Sequence, residues 1–311
     1  MGTMALKIWG VFVPFFALVT VSIAASTLLD WLLFVCLGLR NPNERMSNFV
    51  LPGVVGLPIT LIWLRPRLRI FKPDSRGRSP SPFLLVGTLA IIIFAGDQAN
   101  SYQLAVTGQL TVLSRIRDLP DRLPTRYYRI PSVLIGRTAE LHVETGFTGK
   151  GATGYWVEVY ITAALYDETS ELGKSSGIWV ARMYRESESN PRSRSAEAQF
   201  RGRVENESVR DFSRLRADRI TYFLRVPPGG DLENYQSAVA STRLSSGDET
   251  IFLHPSFGPF SERTGNHGWL MFAIWIGGSA AWLILILIMS AGEPELGRLV
   301  AGDRIRPLRN G

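Results

Sequence analysis

The sequence predicts an α+β membrane protein: a small bundle of four transmembrane helices, with a β-rich, antiparallel, sandwich-like soluble domain inserted between the third and the fourth. Three observations predict it. The 311 residues average a mean hydropathy of +0.09 although 20% are charged, so the apolar residues must be gathered in blocks. Four such blocks are nearly free of charge, and each approaches the roughly 20 residues that cross a bilayer core about 30 Å thick. The polar stretch between the last two blocks is 171 residues long and reads as short alternating runs, enough to bury a core of its own.

The first block, Ile8 to Leu39, is interrupted only by Asp30 and at 32 residues is too long for one upright crossing and too short for two. It is expected to cross at about 8–29, with Asp30 hydrated at the outer interface, Trp31 in the aromatic belt and a kink at Pro14. A short basic start, the apolar run and the small residues Ser22, Ala24 and Ala25 also fit a cleavable signal peptide, which would leave three crossings; the length of the run favours a crossing. The second block, 49–64, contains Pro52 and Pro58 and is expected to be a kinked helix packed inside the bundle. The third, 83–96, follows Ser-Pro-Ser-Pro and stops at Asp97. The fourth, 269–290, carries no charge over 22 residues. These divide the chain into a membrane region 1–96, a soluble domain 97–267, a last crossing within 268–290 and a basic tail 291–311.

In the soluble domain the expected strands are Leu104 to Leu113, Ala139 to Thr145, Tyr155 to Leu165, Ile178 to Tyr184, Ile220 to Val226 and Thr250 to Leu253, runs rich in Val, Ile, Tyr, Phe and Trp between Gly, Pro, Ser and Asp clusters. In Tyr155 to Thr162, Tyr155, Val157, Val159 and Ile161 would face the core, and Trp156, Glu158, Tyr160 and Thr162 the solvent. Helices are expected near Asn206 to Arg219, with Asn206 as cap and Val209, Phe212 and Leu215 on one side, and near Asp231 to Thr242. Glu186 to Arg203 reads as a solvated loop.

Charge assigns sides. Lys and Arg total 34 against 27 acidic residues, a net charge of +7. Residues 97–267 hold 21 of each, so the excess lies outside the domain and nothing there marks a nucleic-acid footprint. Arg65, Arg67, Arg69, Lys72, Arg76 and Arg78 crowd the loop after the second block, against Asp74 alone, and short loops rich in Lys and Arg stay cytoplasmic. Four crossings then place both termini in the cytoplasm and the domain outside it. Only four of the basic residues are Lys (Lys7, Lys72, Lys150 and Lys174), an Arg excess expected of a GC-rich genome and hence of a bacterial inner membrane. The one cysteine, Cys36, lies in an apolar block and rules out a disulfide framework.

Candidate chemistry is sparse. Gly149 to Gly154 has the G-x-G-x-x-G spacing, but a strand pattern follows it where a nucleotide site needs a helix, so it is expected to be a hairpin connection. Glu140, His142 and Glu144 alternate on a strand and are the weak candidates for a metal site, although about 7 Å between successive members is wide for one ion. His254 and His267 read as loop residues. Gly277-Gly278-Ser279-Ala280 resembles the Gly-x-Ser-Gly of rhomboid-type intramembrane serine proteases over four residues, but the final Gly is Ala280 and no apolar block holds a histidine to act as base. Gly277, Gly278 and Ala281 are instead expected to serve helix packing.

These features point to a non-catalytic membrane protein that displays a binding or scaffolding domain. Its expected partners are the lipid bilayer and an envelope protein, polymer or small ligand, with no cofactor and no nucleic acid. The alternatives are a membrane-surface enzyme using Glu140, His142, Glu144 and Glu158, and a transporter component lined by Thr20, Ser22, Thr60 and Thr88.

Overall fold

The computed structural model describes residues 3–36, 44–72, 79–120, 125–148, 154–167, 177–189, 193–240 and 250–290. The chain divides into two compact units, Met1–Thr107 with Thr264–Gly311, and Gly108–Arg263. The basic tail, Arg40, Arg76, Arg78 and the glycine-rich loop 149–153 lie outside the described residues.

The first unit holds four helices long and apolar enough to cross a membrane: α1 (Thr3–Leu33), α2 (Asn48–Leu68), α3 (Ser81–Thr107) and α6 (His267–Ile288). Proline shapes the first two. Pro14 has no N–H for the Gly10 carbonyl, and just before it, at Ile8–Phe12, the hydrogen bonding widens so that the Val13 N–H reaches the Ile8 carbonyl. Pro58 is followed by the same widening at Thr60–Leu64. α3 begins where Ser79 Oγ accepts the Ser81 N–H at 3.3 Å. It then runs straight past Gly96, so the expected end at Asp97 and the expected strand from Leu104 are corrected: Asp97 to Thr107 are helical, and only Leu110–Val112 is strand. The polar residues that lower hydropathy there do not break a helix, and Gly96, Ala99 and Asn100 continue its buried side.

Close approach of the helices depends on small residues. A Cβ on Gly96 would stand 2.7 Å from Pro52 and 3.6 Å from Ser26 Oγ, so α1, α2 and α3 meet at this level. One turn in one direction, a Cβ on Gly56 would stand 2.8 Å from Ile92. One turn in the other, Asp30, Asn48 and Asn100 are all buried, and Asn48 Nδ2 donates to Ser101 Oγ at 3.3 Å. Asp30, expected to be hydrated, is therefore corrected to a fully buried residue in line with buried Ser22 and Ser26. Trp282 of α6 ties the bundle together, stacking on Phe15 at 3.8 Å and donating from Nε1 to the Leu84 carbonyl at 3.4 Å. At one end, Lys7 Nζ donates to the Leu287 and Met289 carbonyls at 3.1 and 2.5 Å, and the Lys72 N–H to the Ser290 carbonyl at 3.0 Å. The start of α1, the end of α2 and the end of α6 thus share that end.

The second unit is one mixed sheet of seven strands, not the expected sandwich: β1 (Leu110–Val112), β2 (Tyr127–Arg129), β3 (Val133–Thr148), β4 (Gly154–Asp167), β5 (Ile178–Ser189), β6 (Tyr222–Arg225) and β7 (Ile251–Ser256), in the order β1-β2-β6-β7-β5-β4-β3. Pairs β1/β2 and β5/β7 are parallel and the rest antiparallel. A helix covers each face. α4 (Arg194–Ser213) sets Phe200, Val204 and Phe212 against Tyr155, Val157, Val159 and Ile161. α5 (Gly230–Val239) sets Tyr235 and Val239 against Tyr160, Ala164, Trp179 and Phe252 on the opposite face. Every residue of β4 from Val157 to Leu165 is buried, so the expected solvent face at Tyr160 and Thr162 is corrected to a second core. Glu186 to Arg203 is not a loop, since β5 continues to Ser189 and α4 begins at Arg194, capped by Ser193 Oγ on the Ala196 N–H at 3.2 Å. Asn206, expected to cap, lies mid-helix and bonds the Gly202 carbonyl.

Candidate functional site

Strand register places the candidate residues of the soluble unit. On the α5 side of the sheet, Glu140 lies opposite Thr162, His142 opposite Tyr160 and Glu144 opposite Glu158, while Glu158 in turn pairs with Arg185. Side chains alternate along strands, so all of these share one face. Glu158 is held from two sides: the Tyr160 hydroxyl donates to Oε2 at 2.7 Å, and Arg185 Nη1 lies 3.1 Å from Oε1. Burial first, and this hydrogen bond second, push the Tyr160 phenol well above its ordinary range. Trp156 covers Gly146, where a Cβ would stand 2.5 Å from the indole, and Arg185 lies 5.7 Å from that ring.

The three weak metal candidates come together only in part. His142 Nε2 lies 3.9 Å from Glu144 Oε1, with about a third of each side chain exposed. Among the described residues no group of three His, Cys, Asp or Glu side chains stands where it could hold a metal ion. His254 and His267 are not loop residues. His254 is on β7, with Nδ1 3.1 Å from the Ala181 carbonyl, and burial lowers its pKa. His267 opens α6, its Nδ1 2.9 Å from Gln98 Oε1, and Gln98 Nε2 donates to Asp97 at 2.8 Å.

In the helical unit the three packing candidates separate. A Cβ on Gly278 would stand 2.8 Å from Ile91, whereas one on Gly277 would meet nothing within 4 Å, and Ala281 is exposed. Ser279 is buried. Near the Gln98 end, α1, α3 and α6 enclose an open groove of about 590 Å³ lined by Ile23, Thr27, Trp31, Tyr102, Gln103 and Trp275, among others. The Thr27 hydroxyl donates to the Ile23 carbonyl of its own helix at 2.8 Å, which leaves that wall apolar.

Sequence reasoning missed a second concavity in the soluble unit, about 540 Å³, which gathers Arg182, Arg214, Arg216 and Arg219 around Phe257. The run Arg214-Leu215-Arg216-Ala217-Asp218-Arg219 is a basic cluster that a domain-wide count of 21 against 21 averaged away, and Arg182 joins it only through the fold.

Comparison with known proteins adds no analogy. No family model matches the chain, and neither a curated protein nor a solved structure matches it at a significant level.

Proposed function

We propose that this chain is a four-span plasma-membrane protein whose bundle displays residues 108–263, outside the cytoplasm, as a binding domain for an envelope partner or ligand. The observation that carries the reading is the grouping of the start of α1, the end of α2 and the end of α6 at one end of the helical unit. Four antiparallel crossings require that grouping. The basic cluster of Arg65, Arg67, Arg69 and Lys72 is at that end, which supports a cytoplasmic assignment for it. The chain enters the domain from the opposite end of α3 and leaves it into the opposite end of α6, so the domain belongs on the other side. The Arg-rich composition supports a bacterial inner membrane, in which a domain outside the cytoplasm would be periplasmic.

Binding is favoured over catalysis because the best-placed carboxylate, Glu158, is already engaged by a phenol and a guanidinium. The test is thiol labelling in intact cells of Ser187→Cys and Ser75→Cys, each in a Cys36→Ser background. An impermeant reagent is expected to label position 187 and not 75; the reverse pattern would put the domain in the cytoplasm and sink the reading.

One observation favours a second reading, a membrane-surface enzyme: His142, Tyr160, Glu144 and Glu158 share a face in register. In cells with a phenotype that depends on the intact protein, His142→Ala with Glu144→Ala is expected to behave as wild type. Behaviour like the deletion would favour chemistry at that face.

A further inference from the structure

We propose that the arginine-lined pocket of the soluble unit binds a phosphate monoester group. Four arginines from three separate elements line one concavity: Arg182 from β5, Arg214 from the end of α4, and Arg216 and Arg219 from the turn around Ala217–Arg219. Two of them are already fixed. Asp211 takes Arg182 at 3.1 Å and the Tyr184 hydroxyl at 2.9 Å, and Arg182 lies over the Tyr184 ring at 4.9 Å. Asp218 takes Arg216 through two bonds, 3.1 Å to Nε and 2.7 Å to Nη2. Arg214 and Arg219 have no acidic partner among the described residues, so four arginines stand against two aspartates, Asp211 and Asp218.

Cations after a helix are ordinarily explained by the helix dipole, and that accounts for Arg214. It does not account for Arg182, which comes from the sheet. Asp211 and Asp218 offset two of these charges, and the group that balances Arg214 and Arg219 must be multiply charged, able to offer paired oxygens to the guanidinium forks and small enough for about 540 Å³. A phosphate monoester, carrying about −1.5 to −2 at neutral pH with three acceptor oxygens, meets these requirements. Phe257, 47% exposed and 5.9 Å from Arg182, gives the pocket an apolar side for whatever bears the phosphate. The assignment deepens the binding-domain reading by naming a ligand class. It does not depend on which side of the membrane the domain faces, so reversed thiol labelling and an absent phosphate response are separate failures.

The experiment is calorimetric titration of the full chain, held in amphipol in phosphate-free buffer, with inorganic phosphate and with dihexanoyl phosphatidic acid below its micelle concentration. Dihexanoyl phosphatidylcholine serves as the diester control. Saturable binding of inorganic phosphate or of the monoester phosphatidic acid, and not of the diester, is expected. A tighter response to inorganic phosphate assigns a free phosphate, and a tighter response to phosphatidic acid assigns a headgroup or another phosphate with an apolar neighbour. Arg214→Gln with Arg219→Gln is expected to weaken binding at least tenfold while the far-ultraviolet spectrum is unchanged. Arg219→Lys, which keeps the charge and loses the fork, is expected to weaken it less. No binding of either inorganic phosphate or phosphatidic acid, or equal binding by the double glutamine variant, overturns the proposal.

Discussion

His254 shows what one buried side chain does to the pH dependence of this protein. Burial holds its pKa below the ordinary 6.5, so between its folded and unfolded values the unfolded chain takes up more protons than the folded one. The contribution of His254 to stability is therefore fully present above about pH 6.5 and is lost as the pH drops through the window beneath it. Thermal melts from pH 7.5 to 5 should show this loss, and His254→Gln should reduce it; an unchanged slope would mean that other groups set it. The residue was legible in the sequence only as one of three histidines, because burial on β7 follows from long-range pairing with β5 and β6. Asp30 was misplaced for a related reason. Next to an apolar run an aspartate reads as the start of water, yet Ser22, Ser26 and Asp30 recur every fourth residue, and that spacing, which turns all three toward one side of α1, was the available signal. Asn100 is fully buried with neither amide atom hydrogen-bonded among the described residues, and exchanging a buried polar group for an apolar one of similar shape is close to neutral or stabilising. Asn100→Leu is accordingly expected to leave the melting temperature of the purified protein unchanged or raised, and a loss of several degrees would show that the amide has a partner in solution.

At the scale of the element, hydropathy located the four apolar helices but not their ends. α3 is 27 residues long, yet its apolar signal stops near Gly96; helix propensity and the Gly96, Ala99, Asn100 side continue where hydropathy does not. α4 begins twelve residues before the expected cap because charged residues fill its exposed side, and a helix with one narrow apolar stripe resembles a loop in composition. Packing at the centre of α6 distinguishes two adjacent glycines. Gly278→Val drives a side chain into Ile91 and should cost about 1 to 3 kcal/mol, whereas Gly277→Val enters open space and should stay within about 0.5 kcal/mol. Detergent-resistance half-lives of the two variants would separate them, and equal losses would show that Gly277 is also packed. The sequence indicated that small residues mattered in this helix; which of them faced a neighbour depended on the rotation of α6, which Trp282 fixes through Phe15 and Leu84.

For the whole molecule, the division into Met1–Thr107 with Thr264–Gly311 and Gly108–Arg263 gives two units that share no apolar cluster among the described residues. Two cooperative transitions are expected in urea, an early one that removes the β signal and a later one for the helices in detergent. A single coincident transition by both probes would show that the units unfold as one. The strand content of the soluble unit was readable from alternation, but its architecture was not. Two facing sheets demand alternating strands, whereas one sheet with a helix on each face buries both sides of its central strands, and the burial of Tyr160 and Thr162 tells the two apart.

The Lys7 contact carries a consequence for how the protein is made. Its acceptors, the carbonyls of Leu287 and Met289, lie 280 and 282 residues farther along the chain. At roughly 5 to 20 residues per second, a ribosome separates donor from acceptors by about a quarter of a minute to a minute. During that interval the ammonium group at the foot of α1 must be hydrated or held by something else, while α2, α3 and the whole sheet unit are synthesised. The four-helix unit therefore closes last, by joining its oldest helix to its newest, and a nascent chain arrested before α6 emerges lacks the two carbonyls on which Lys7 rests.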